Sequence, residues 1–140
     1  MVCTGRICRS PKAEGYLAAR LPDLAIDSAV IMDRNVGRPP HQGNQAVTLA
    51  RGVRRQAQRV RQITAEDLRR FGLIPGVDDY NMVPLSALRP SDAMASVGWL
   101  GVYLARGRIA AIADPWGQEN AMFETIFLIR FTRQRRVWPV

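Results

Sequence analysis

From Gln45 to Gln62 the chain carries five arginines, no acidic residue, and small apolar side chains at helical spacing. Ala46, Ala50, Val53, Ala57 and Val60 recur at steps of four, three, four and three. That rhythm predicts one long amphipathic helix over 45–62, with Leu49 widening its apolar stripe. Asn44 is the expected N-cap. Gly52 inside the segment costs about 1 kcal/mol relative to alanine and suits a close crossing with a neighbour. If the stripe faces protein, then Arg51, Arg54, Arg55, Arg59 and Arg61 face solvent.

The surrounding punctuation sets the other expected elements. Gly5, Ser10, Pro11 and Gly15 make residues 1–15 read as a weakly ordered N-terminal arm, leaving 16–140 as a single basic α+β domain. Tyr16 to Leu21 suits a short helix stopped by Pro22, and Leu24 to Met32 suits a strand. Two glycines and two prolines make 35–44 a loop. Thr64 followed by Asp67 has capping-box spacing and predicts a short second helix ending near Gly72. Residues 76–90 read as connection, with a short extended piece at 82–85. Residues 92–105 admit either a helix or a strand, and Val, Trp and Tyr favour a strand from Val97. Arg106-Gly107 then turns the chain into a strand over 108–113, and 123–133 supplies another, apolar on both faces. The expected architecture is a small antiparallel sheet of three to four strands, packed against one long amphipathic helix and a short second helix.

At 140 residues the chain fits one domain, and its formal charge of +8 favours an anionic partner. Nineteen of the twenty basic residues are arginine, which suits bidentate contacts but also follows from an arginine-biased genome. Cys3 and Cys8 are the only cysteines and His41 the only histidine, so neither a metal site nor a useful disulfide is expected. No cofactor is implied. Arg106 and Arg108 break the best apolar run, and residues 9–14 are too polar for a signal peptide. A cytoplasmic protein is therefore expected.

These observations point to a small regulatory or protein-interaction subunit whose arginine face meets an acidic partner, or which pairs with a second copy of itself. The alternative is a nucleic-acid-binding protein that lays the same face on DNA or RNA phosphates. The residues carrying either reading are Arg51, Arg54, Arg55, Arg59, Arg61, Arg133, Arg135 and Arg136, with Trp138 available for base stacking. A membrane surface is not favoured, because the apolar stripe lacks bulky anchors. No catalytic residue is assigned. His41 in a polar loop, with Asp78, Asp79, Tyr80, Asp114 or Glu119 as partners, is the only general-base arrangement that the residues suggest.

Overall fold

The computed structural model describes residues 1–5, 9–49 and 58–104. In chain order these form β1 (Val2–Cys3), α1 (Arg9–Arg20), β2 (Ala29–Val30), a 3-10 turn (Asp33–Asn35) and α2 (Gln42–Leu49). Then follow α3 (Ala65–Arg70), β3 (Leu73–Gly76), α4 (Asp79–Leu88), β4 (Ser96–Trp99) and α5 (Leu100–Leu104). The four strands form one sheet in the order β2-β1-β3-β4, and every pairing is parallel.

This overturns the expected antiparallel α+β sheet. Parallel neighbours need a crossover, and α1 carries the chain from β1 to β2 while α4 carries it from β3 to β4. Such sheets are covered on both faces. Val2, Ala29 and Ile74 point to one side, where they meet Leu68 of α3 and Leu85 of α4. Cys3 and Val30 point to the other, with Ala13 of α1, Val60 and Val77. The fold is thus an α/β sandwich of helices about a short sheet. Strands of two to four residues are too brief to display the alternation by which a sheet is read from sequence.

The first fifteen residues, expected to be an arm, supply β1, one of the two inner strands, and the start of its crossover helix. Pro11, a turn residue by type, lies in the first turn of α1, where its missing N–H costs nothing. The long helix over 45–62 is also corrected. The helix that begins there, α2, starts at Gln42, so Asn44 lies within it. At the far end Val60 N–H donates to Arg38 O at 2.9 Å and Gln62 bridges to Val30 in parallel, so this stretch is extended along the outer edge of β2. Residues 50–57, with Val53, lie outside the described residues, as do the features expected over 106–140.

The helix at Thr64 forms as expected: Asp67 Oδ2 accepts both the Thr64 N–H at 2.9 Å and its hydroxyl at 3.0 Å. By contrast Pro75-Gly76, read as a turn, ends β3, and 82–85, read as extended, lies within α4. From Val97 the strand expectation holds only to Trp99, after which α5 begins. No helix of the described residues is long and apolar enough to cross a membrane.

Candidate active site

Between β1 and β3 the chain order reverses, since β2 lies on one side of β1 and β3 on the other. In open parallel sheets, the crevice at the carboxyl ends of such strands is where ligands bind. Cys3 is the last residue of β1, and its thiol is buried and unbridged. Six residues later α1 opens at Arg9 and runs for twelve residues. Its first N–H groups have no partner within the helix, and its dipole favours negative charge at that end.

Side chains at the head of α1 close on the cysteine. Ser10, fully buried, donates its hydroxyl to Cys3 Sγ at 3.0 Å; the Ala29 carbonyl lies farther away at 3.4 Å. Arg9 is only 5% exposed, and its Nη1 lies 2.6 Å from Asp78 Oδ2. Asp78 sits just before α4, at the carboxyl end of β3, so two neighbouring strand ends are joined by a charge-assisted bond. A buried guanidinium held by a carboxylate keeps a fixed orientation, and its planar fork matches the oxygens of a phosphate.

The start of the loop is fastened from both sides. Ile31 N–H donates to Cys3 O at 2.9 Å and Met32 N–H to Thr4 O at 2.8 Å. The Asn35 side-chain amide then donates to Gly5 O, so three consecutive carbonyls are bound by one segment. Across the site Asn81, wholly buried, accepts N–H bonds from Val77 and Asp78 at 2.9 and 3.2 Å. Its amide donates to Thr4 Oγ1 at 3.0 Å. Gly5 adopts φ +152°, a region that favours glycine, and a Cβ there would lie 3.1 Å from Met32 Cβ. Gly76 is needed for a different reason: its missing side chain leaves room for Asn81, whose Cβ would be 3.0 Å from an added one.

The residues singled out from sequence are distributed otherwise. Arg61 is half-buried near the amino ends of β1 and β2, away from Cys3, and bridges Asp27 at 2.7 Å and Asp67 at 2.8 Å. Burial alone would push the Asp67 carboxyl up. The Arg61 hydrogen bonds, the Thr64 donors and the Arg61 charge outweigh it and hold that carboxyl below its ordinary range. Arg61 is in turn raised, because its two carboxylate partners outweigh its burial. Arg59 is exposed, with its guanidinium on the Gln58 carbonyl at 2.9 Å. Arg51, Arg54, Arg55, Arg133, Arg135 and Arg136 lie outside the described residues. His41 is half-buried at the start of α2, where its carbonyl accepts the Gln45 N–H. Asp78 does belong to the site, paired with Arg9 rather than with a histidine. Asp79 accepts the Trp99 indole N–H at 2.8 Å.

Cys3, Arg9 and Ser10 do not stand out in the sequence, because a lone thiol has no diagnostic setting there. The available signal was a cysteine, a glycine two residues on, and an Arg-Ser pair opening a helix six residues later. That pattern places a nucleophile beneath a helix N-terminus. No group of three or more metal-binding side chains occurs among the described residues.

Comparison with known proteins agrees with this geometry. Residues 1–130 match the family model for low molecular weight phosphotyrosine protein phosphatases. The chain is 34% identical over 134 residues to low molecular weight phosphotyrosine protein phosphatase 1 of Drosophila melanogaster, covering 91% of this chain and 85% of that one. It is 31% identical over 125 residues to the low molecular weight protein-tyrosine-phosphatase YfkJ of Bacillus subtilis, covering 85% and 80%. The crystal structure of a Drosophila arginine phosphatase superposes with a TM-score of 0.81 at 29% identity, covering 91% and 86%. These matches overturn the expectation of a regulatory or nucleic-acid-binding subunit. From the buried thiol under its helix to the match through residue 130, this chain belongs to the low molecular weight phosphotyrosine protein phosphatase family.

Proposed function

We propose that the protein hydrolyses phosphate monoesters of tyrosine side chains, with Cys3 as the nucleophile. The observation that carries this reading is the contact of Ser10 Oγ with Cys3 Sγ at 3.0 Å, directly beneath the N-terminus of α1. The thiolate is the reactive form of cysteine, and a hydroxyl donor is placed to stabilise the sulfur's charge. The phosphoryl group binds at the head of α1, where the Arg9 and Ser10 N–H groups and the Arg9 guanidinium take its non-bridging oxygens.

Cys3 Sγ then attacks phosphorus. An S–P bond forms as the ester P–O bond breaks, and the leaving phenolate oxygen takes up a proton. Water next attacks the phosphocysteine, releasing inorganic phosphate and restoring the thiolate. Positioned donors matter most here, because charge spreads over the three equatorial oxygens in the transition state. The first step requires an acid for the leaving group. Asp114 and Glu119, the later-loop carboxylates picked out from sequence, lie outside the described residues.

The relatives' names supply the choice of tyrosine, while the anion site itself fits any phosphomonoester. We place the protein in the cytoplasm on the chemical ground that a thiol nucleophile needs a reducing compartment. The test is the release of inorganic phosphate from p-nitrophenyl phosphate and from a phosphotyrosyl peptide by the parent and by Cys3→Ser. Activity in the parent and its loss in a folded Cys3→Ser variant are expected. A Cys3→Ser variant that turns over at the parental rate overturns the reading.

A further inference from the structure

The segment that fastens the loop also forms one wall of the site. Donors from Ile31, Met32 and Asn35 bind the carbonyls of Cys3, Thr4 and Gly5 in turn, so residues 31–35 run beside the nucleophile and its loop. Met32 and Asn35 are fixed by these bonds, and Arg34 lies between them in the 3-10 turn, exposed. Arg34 makes no ion pair with any described residue, whereas Arg9, Arg61 and Arg69 are each bound to carboxylates. Arg38, four residues on, is likewise exposed and makes no such pair among the described residues. Among the described carboxylates beside the site, Asp78 is held by Arg9 and Asp79 takes the Trp99 indole. Asp33, beside Arg34, leaves this stretch of wall with a net positive charge.

We infer that Arg34 is a specificity-determining residue that selects phosphopeptides carrying an acidic side chain next to the phosphorylated residue, with Arg38 reinforcing it. The inference rests on the phosphatase reading and adds the substrate class. A guanidinium that no described carboxylate engages has donors to offer a peptide carboxylate. Its backbone is anchored to the loop through Asn35, so its distance from the bound phosphoryl group is set by the fold rather than by a free loop. The chain's formal charge of +8 assists the approach of such substrates.

The test compares two phosphotyrosyl peptides that differ only in the residues flanking the phosphotyrosine, Asp and Glu in one and Asn and Gln in the other. Hydrolysis of p-nitrophenyl phosphate by the parent is measured alongside. For the parent, kcat/KM is expected to favour the acidic peptide about three- to fivefold at low salt, the range of an exposed ion pair. The preference should shrink as salt is raised. Arg34→Gln brings the ratio towards one, and Arg34→Glu inverts it. A parent that hydrolyses p-nitrophenyl phosphate but treats the two peptides alike overturns this inference alone. A ratio that Arg34→Glu does not move does the same. A folded parent that hydrolyses none of the three substrates overturns both the inference and the phosphatase reading beneath it.

Discussion

Replacing Asn81 tests whether a buried amide holds the catalytic loop and the start of α4 together. In Asn81→Ala the Asp78 N–H loses its acceptor, while the Val77 N–H keeps a second one, Val2 O at 3.0 Å. That orphaned, partly buried donor is also the Asn81 half of the α4 capping box, and its loss costs about 1–3 kcal/mol, while the Asp78 side-chain cap survives. The Thr4 hydroxyl also loses its donor, but Thr4 is only half-buried and water can replace it. The expected destabilisation is therefore about 1–3 kcal/mol, read as a lowered urea midpoint at unchanged slope. Thr4→Val separates the two roles. It leaves both backbone bonds to Asn81 in place, so stability falls by only about 1 kcal/mol. The loop still loses its tether, and hydrolysis of p-nitrophenyl phosphate should drop about ten- to a hundredfold, the cost of a small misplacement of reacting groups. The double variant should be about 1 kcal/mol less destabilised than the sum of the singles, since both remove the same bond. An Asn81→Ala protein within 0.5 kcal/mol of the parent, or a Thr4→Val protein of parental activity, refutes the reasoning.

Gly5→Ala forces a side chain onto a backbone at φ +152° and against Met32 Cβ at 3.1 Å. It should cost about 1–3 kcal/mol and most of the activity, and undiminished kcat/KM would show that the loop does not need this conformation. The Asp67 carboxyl predicts an acid limb in stability. Because its folded value lies below the ordinary 3.8, the unfolded chain takes up the proton first as pH falls below that value. The stability it contributes is thus complete above that range and lost as pH drops through the folded value. Urea midpoints measured between pH 6 and 3 should show this loss in the parent and a flatter curve in Asp67→Asn.

How much of this was legible depended on how local each signal was. The Thr64-x-x-Asp67 spacing specified α3 because both partners of the cap lie within one turn. The same spacing recurs at Asp78-x-x-Asn81 and was masked by Pro75, Gly76 and Pro84, residues usually taken to mark loops. Pro84 instead sits inside α4, and Gly76 is there to admit Asn81. The parallel sheet was not legible for a different reason. β1 and β2 have two residues each, so neither periodicity nor β-propensity has room to register, and the pairing partner of Val2 is 27 residues away.

The arginines show why counting charge misleads where burial decides. The densest basic run directed attention to 51–61, yet Arg61 at its end is occupied by Asp27 and Asp67 in a structural bridge. Arg9, unremarkable in sequence, is the one whose burial and whose bond to the Asp78 carboxylate aim it at the head of α1. An anion site is built from donors held in place before the anion arrives, because a guanidinium that must first be desolvated and ordered spends much of its binding energy doing so. The informative mark of such a residue is therefore a buried cation bound to an acidic partner distant in the chain. That pairing, Arg9 with Asp78 across 69 residues, exists only once the parallel strands have brought the ends of β1 and β3 together.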